Sequence, residues 1–224
     1  PTASHRCWAR WTTISSARAR IGACGNVSAR MQSSVPALLD FSKETTKTLE
    51  MYGPDVKRPG SYAANCLLAR RLVEKGIRYI EVAKGGWDMH NNIEEGLEEH
   101  GAELDVALAA LLEDLSQRGL LASTLVVLCS EFGRGPRVNS NAGRDHHPKV
   151  FSTLFAGGGV KGGFIHGSSD KEGMAVADKQ VSTQDFLSTI GWSLGLPIDE
   201  VVMSPSNRPF TVGDKGKPVM ELFA

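Results

Sequence analysis

Three separate polar segments of this sequence carry the residue types that bind metal ions and transfer protons. The candidates are Asp88 and His90 in GGWDMHNN, Glu131 in CSEFGR, and Asp145, His146 and His147 in GRDHHPK. Carboxylates and imidazoles together are suitable ligands for Zn²⁺, or for a site that accepts Zn, Mn or Mg. An all-oxygen Ca²⁺ site, in contrast, does not need histidines. A divalent metal, one of Zn, Mn, Mg or Ca, is therefore the predicted cofactor.

Three arginines lie in the same loops as the later candidates. They are Arg134, Arg137 and Arg144, and guanidinium groups match phosphate or sulfate oxygens with parallel hydrogen bonds. Two metal ions beside them could activate a nucleophile and bind a phosphoryl or sulfuryl oxygen. The alternative is structural: Asp88 caps a turn, Glu131 is a solvated strand end, and the loop histidines and arginines are ordinary surface residues.

Helices and strands alternate along the chain between these segments. Apolar periodicity predicts helices over 61–76, from Asn92 to Gly119 and from Thr183 onward, and apolar runs predict strands over 77–83, 124–132 and 150–156. This alternation is typical of an α/β fold, with helices on both faces of a mainly parallel sheet. Ligands collect at the carboxyl ends of such strands, which is where Asp88 and Glu131 fall.

The connection over residues 133–149 has no helical pattern, although a parallel crossover normally needs a helix. We therefore expect the strand at 150–156 to lie antiparallel at an edge of the sheet, which returns His146 to the edge that holds Asp88 and Glu131. The segment GGGVKG that follows is not succeeded by a helix, so a dinucleotide site is not expected there. His100 falls on the apolar stripe of its helix and is predicted to be packed.

The composition narrows the classes of partner. Lys plus Arg and Asp plus Glu number 25 each, and this balance argues against nucleic-acid binding. The longest apolar runs are strand-sized, far shorter than the roughly 20 residues of a membrane span. Four cysteines lie far apart without a CxxC pair, which excludes a zinc ribbon and argues against a disulfide framework.

The first residues differ in pattern from the rest of the chain. Residues 1–16, PTASHRCWARWTTISS, have neither helical nor strand periodicity and place two Trp and a Cys among arginines. We interpret them as an irregular lead-in, with the hypothesis that a shifted reading frame or cloning produced it. Residues 17–224 are predicted to belong to one α/β domain.

Several motifs, in this order, resemble the bacterial domain of unknown function 1501 family. They are ARRLVEKGIRYIEV, GGWDMHNN, LLEDLSQRGLLASTLVVLCSEFGRGPRVN, NAGRDHHPKVFSTLFAGGGVKGG and GKPVMELF. That family belongs to the alkaline phosphatase-like, sulfatase-like superfamily, and its pattern is approximately GWDTH, EFGRTP and GRDHW. Met89, Gly135 and His147 replace Thr, Thr and Trp of this pattern. No proposed ligand is lost, but Gly135 lacks a hydroxyl that could bond to substrate.

The resemblance implies that residues 17–224 are the C-terminal portion of an alkaline phosphatase-like domain. By analogy, the metal ligands would be Asp88, His90, Glu131 and His146, with Asp145 and His147 as further ligands or supports, and with Arg134 and Arg144 facing the anion. The family's nucleophile is expected upstream of this chain. Export signals that are common in the family imply an extracytoplasmic location.

These inferences lead to one expected function and two rivals. We expect a metal-dependent hydrolase of phosphate or sulfate esters, which acts on a small molecule or a polysaccharide. The first rival is a non-catalytic cell-surface binding or scaffolding module that retains the fold. The second is a nucleotide-binding α/β domain, which would require thermal stabilisation by nucleotide, and we do not expect that stabilisation.

Overall fold

Helices supply most of the regular structure in the computed structural model, which describes residues 36–223. They are α1 (Thr46–Met51), α2 (Tyr62–Glu74), α3 (Ile93–Gln117) and α4 (Thr183–Ser193), together with a helical segment over 36–39. Short 3₁₀ turns occupy Phe41–Lys43, Pro54–Lys57, Leu121–Ser123 and Met220–Leu222. Helices α2, α3 and α4 confirm the three helices predicted from periodicity.

Helices α2 and α3 pack against each other and form the core. Buried apolar residues recur on both helices at spacings of three and four, which gives each helix one apolar stripe. The core residues are Ala63, Cys66 and Leu67 on α2, Ala107, Ala110, Leu111 and Leu115 on α3, and Tyr52 and Val56 before them. Val82 and Val126 pack against this core and so anchor the two segments that lead toward the candidate site.

A buried ion-pair network joins the same helices. The side chain of Arg70 is 2% exposed, and its guanidinium nitrogens lie 2.6–2.8 Å from carboxylate oxygens of Glu44, Glu74 and Asp114. The hydroxyl of Tyr52 donates to Asp114 at 3.1 Å. Because a buried charge is stable only with partners, these contacts fix α2 and α3 relative to each other.

The strands are short, and every pair is antiparallel. They are β1 (Leu125–Leu128), β2 (Gly133–Arg134), β3 (His146–His147), β4 (Leu154–Gly157), β5 (Ser168–Ser169), β6 (Val176–Asp178), β7 (Val202–Met203) and β8 (Pro209–Phe210). They pair as β1–β4, β2–β3, β5–β6 and β7–β8. In residues 36–223 the prediction of a mainly parallel, alkaline phosphatase-like sheet with helices on both faces is therefore wrong.

The predicted strand at 77–83 shows why the parallel sheet does not form. Residues 78–83 make no backbone hydrogen bond with any other described residue, and Tyr79 is 74% exposed. A strand needs a neighbour that satisfies its N–H and C=O groups, and β-forming side chains alone cannot supply one. The segment therefore runs as an unpaired connection, and β1 pairs only with β4, in the antiparallel sense expected for that pair.

Two further observations concern the limits of the chain and its helices. The irregular lead-in over residues 1–16 lies outside the described residues, so the structure does not bear on it. None of the helices in residues 36–223 combines the length and the apolar character that crossing a membrane requires.

Candidate metal site

The spacing of Asp88 and His90 follows from the burial of the residue between them. Met89 is 8% exposed and packs against Gly96 of α3, where an added Cβ would lie 2.6 Å from the Met89 sulfur. The Met89 amide donates to the Trp87 carbonyl at 2.9 Å and the His90 amide to the Asp88 carbonyl at 3.1 Å, so the backbone here forms two successive γ-turns. With Met89 directed into the protein, Asp88 and His90 both face outward, on the same side.

The short hairpin β2–β3 supplies the second part of the site. Its register places Arg134 opposite His146 and Gly133 opposite His147. Gly135 donates its amide to the carbonyl of Asp145 at 2.9 Å and extends the pairing by one residue. The hairpin thus places the His146 imidazole and the Arg134 guanidinium at opposite positions of its two strands.

Asn139 joins the hairpin loop to the segment that contains His90. Its Nδ2 donates to the His90 carbonyl at 3.2 Å and to Asp145 Oδ1 at 3.0 Å. Its Oδ1 accepts from the amides of Asn141 and Gly143 at 2.9 and 3.0 Å. We missed Asn139 in the sequence, although NSNAG is typical of an Asx turn, in which the side chain replaces a backbone acceptor.

Gly143 allows the two segments to approach closely. It is buried, and a Cβ at this position would overlap the carbonyl of His90. The neighbouring amide of Arg144 donates to the Met89 carbonyl at 3.0 Å, and Asn91 and Ala142 form an isolated antiparallel bridge. The loop that contains Asp145 is therefore fixed by its main chain against the segment that contains Asp88 and His90.

Three potential ligand atoms converge where these segments meet. Asp88 Oδ1 lies 2.9 Å from His146 Nε2 and 3.2 Å from His90 Nε2, and the two imidazole nitrogens are 3.1 Å apart. Bonds of about 2.0–2.1 Å separate adjacent ligands of a metal ion by roughly 2.8–3.4 Å, in octahedral or tetrahedral geometry. The triangle fits one face of either polyhedron, so Asp88, His90 and His146 could bind a divalent metal.

Asp145 lies behind the ring of His90, on the side away from the triangle. Its Oδ1 is 3.1 Å from His90 Nδ1, and a carboxylate can only accept a hydrogen bond. In a neutral imidazole this places the proton on Nδ1 and leaves the Nε2 lone pair directed at the other two ligand atoms. Metal-binding histidines commonly have such a carboxylate behind them.

The Arg134 guanidinium lies against Asp88. The Arg134 Nη2 donates to Asp88 Oδ1 at 2.6 Å, and its Nη1 is 3.5 Å from His90 Nε2. The hydrogen bond from His146, followed by that from Arg134, lowers the pKa of Asp88 to about 2. Asp88 is therefore ionised at any physiological pH. Arg137 is exposed and forms no side-chain hydrogen bond within residues 36–223.

The other predicted site residues lie outside the triangle. Glu131 is exposed and lines a shallow pocket next to it. His147 is buried, and its Nε2 donates to the Met174 carbonyl at 3.2 Å, so it supports the hairpin. The Nη1 of Arg144 donates to the Gly135 carbonyl at 2.9 Å.

Comparison with known proteins identifies the family. A family model described as "Protein of unknown function (DUF1501)" matches residues 12–223. The chain belongs to this family. The match confirms the predicted family and begins within the segment interpreted as a lead-in, whereas the relation to sulfatases and alkaline phosphatases remains a prediction. No curated protein and no solved structure matches the chain.

Proposed function

We propose that this member of the DUF1501 family binds a divalent metal ion through Asp88, His90 and His146, and that it hydrolyses phosphate or sulfate esters with that ion. The observation that supports the proposal best is the triangle of ligand atoms, with sides of 2.9, 3.1 and 3.2 Å. Two imidazoles and a carboxylate form a ligand set that suits Zn²⁺ or Mn²⁺.

The chain's own residues have separate roles in this proposal. Asp145 holds the Nδ1 proton of His90 and so keeps Nε2 available as a ligand. The Arg134 guanidinium donates to Asp88 through Nη2 and to the Arg144 carbonyl through Nη1, and the N–H groups without a partner in these contacts can donate to oxygens of a phosphate or sulfate. A bound divalent ion would polarise an ester oxygen and stabilise the charge that develops on it.

A second candidate, a non-catalytic metal-binding module, is favoured by one observation. Within residues 36–223 no Ser, Thr or Cys side chain hydrogen bonds to Asp88, His90 or His146. The nearby Ser130 hydroxyl instead donates to the Phe132 carbonyl at 3.0 Å. A hydrolase that uses a covalent nucleophile would need that group from outside this set of contacts.

Metal binding tests the proposal first. Protein stripped with a chelator is titrated with Zn²⁺, Mn²⁺, Mg²⁺ and Ca²⁺ by calorimetry. We expect one saturable site, and we expect His146→Ala and Asp88→Ala each to weaken it by about a hundredfold or more, because each removes a ligand. Glu131→Ala is the matched control and should retain the ion. A wild-type protein that binds none of these ions contradicts the proposal.

Turnover then separates the two candidates. Aryl phosphates and aryl sulfates are assayed with the metal-loaded protein and with the stripped protein. Hydrolysis that depends on added metal and is lost in His146→Ala supports the hydrolase. A folded protein that binds the ion and hydrolyses none of the esters supports the module.

A further inference from the structure

A pocket of about 370 Å³ opens directly beside the triangle. Trp87, Phe132 and Arg134 line it. Trp87 precedes Asp88 in the sequence, the ring centroids of Phe132 and His146 are 4.4 Å apart, and Arg134 donates to Asp88. The volume lies at the lower end of the range for small-molecule sites and suits one ring. A group bound here would lie next to an anion at the triangle.

The pocket wall combines aromatic rings with hydrogen-bonding groups. Its aromatic residues are Trp87, Phe132 and Phe151, and its polar residues, besides Arg134, are Ser130, Glu131 and Ser152. The Glu131 carboxylate forms no hydrogen bond or ion pair within residues 36–223, and it can only accept. A ligand that satisfies it must bring its own donors, while the rings require a flat apolar face.

We infer that this pocket binds a sugar ring, so that the substrate is a phosphate or sulfate ester of a carbohydrate. The apolar face of the ring would lie against Trp87 or Phe132, and its hydroxyl groups would donate to Glu131. The inference rests on the proposed function, because the ester group is assigned to the triangle and Arg134. Beyond the proposed function, it assigns the alcohol part of the ester to one chemical class, the sugars.

The same wall disfavours two other classes of ester. A plain aryl ester would bring no hydrogen-bond donor to the Glu131 carboxylate and would therefore gain no hydrogen bond there. A quaternary ammonium group, such as that of phosphocholine, prefers a cage of rings. Here the Arg134 cation stands in the same wall, and the part of the chain that the structure describes has no close ring pair among Trp87, Phe132 and Phe151.

Binding measurements test the inference on the full chain. Affinities for a hexose sulfate, inorganic sulfate, 4-nitrophenyl sulfate and phosphocholine are measured by calorimetry, with saturating Mn²⁺ and again with chelator. We expect the hexose sulfate to bind about tenfold more tightly than inorganic sulfate, because Glu131 gains hydrogen bonds. A hexose sulfate that binds no better than inorganic sulfate, or worse than the aryl ester or phosphocholine, overturns the inference.

Two variants assign the preference to the pocket. Glu131→Ala should remove most of the advantage of the hexose sulfate, with affinities for inorganic sulfate and Mn²⁺ unchanged. Trp87→Ala should have the same effect, and Glu172→Ala, an exposed residue outside the pocket, is the matched control for charge. If Glu131→Ala retains the full preference, the sugar does not occupy this pocket.

Metal content, measured on the same samples, keeps the two proposals distinguishable. A missing ion contradicts the proposed function, whereas a bound ion without a sugar preference contradicts only the present inference. In the measurements with chelator, the hexose sulfate should still bind more tightly than inorganic sulfate, because Glu131 and Trp87 are not metal ligands.

Discussion

Replacing Asp145 by Ala tests whether the site is preorganised for a metal ion. The Asp145 carboxylate accepts from His90 Nδ1 at 3.1 Å and belongs to no side of the ligand triangle. Without this carboxylate the His90 ring can rotate, and it can carry its proton on Nε2 instead of Nδ1. That tautomer has no Nε2 lone pair to direct at a metal ion. The loop itself should hold, since Asn139 still bonds the His90 carbonyl and the amides of Asn141 and Gly143.

The expected loss is about tenfold in metal affinity. Carboxylates behind metal-binding histidines contribute about 10–100-fold, and Asp145 belongs at the lower end because its side chain is 71% exposed and water can replace it. Asp145→Asn retains an oxygen acceptor but not the charge, so its loss should be smaller. Affinities are read from competition with a chromogenic chelator for Zn²⁺, and circular dichroism checks the fold.

Two results would contradict the proposed role of Asp145. Unchanged Zn²⁺ affinity in Asp145→Ala would mean that the hydrogen bond does not orient His90. A loss as large as that of His146→Ala would mean that Asp145 is itself a ligand. Asp105→Ala, on the exposed face of α3, is the control and should bind Zn²⁺ like wild type.

Three further predictions concern the framework. Gly143→Ala should weaken metal binding, because the added Cβ would overlap the backbone of His90. Gly135→Ala should not, because its Cβ would make only an ordinary contact of 3.6 Å. Equal affinities of the two variants in the metal titration would contradict this. Asp114→Ala should lower the free energy of unfolding, measured in urea, by about 3 kcal/mol, because it leaves the buried Arg70 guanidinium with fewer partners. A loss below about 1 kcal/mol would indicate that the ion pair is solvated. Burial raises the pKa of the Cys66 thiol to about 11. Alkylation at pH 8, mapped by mass spectrometry, should therefore modify the exposed Cys129 and leave Cys66 unmodified until the pH approaches that value. Equal labelling of the two cysteines at pH 8 would contradict this prediction.

The helices could be predicted because their signals are local. Ser61 caps α2 by accepting from the amide of Ala64 at 3.0 Å, and the apolar stripes of α2 and α3 meet in the core. Asn92 directly precedes α3, close to where the predicted helix begins, but its side chain does not cap the helix. Its φ is 45°, and its amide donates to the Asn141 carbonyl at 3.1 Å. The start of α3 is therefore bonded to the loop between β2 and β3.

The sheet could not be predicted from local signals. Residues 77–83 and 124–132 have similar β-forming side chains, but pairing depends on which backbone lies alongside, and composition does not contain that information. The structure pairs only Leu125–Leu128 of these two segments.

The site was predictable in residue type and only partly in position. Asp88, His90 and His146 come together because one buried residue and one hairpin register control them. Glu131 lies outside the triangle because β1 ends at Leu128, and the intervening residues redirect the chain before β2.

A crystal structure of the metal-loaded protein, with anomalous scattering recorded at the absorption edge of Zn or Mn, tests the proposed metal site most directly. We expect an anomalous peak within about 2.0–2.2 Å of Asp88 Oδ1, His90 Nε2 and His146 Nε2. A saturated crystal with no peak there, or with the ion on Glu131 and away from both histidines, would contradict the proposed site.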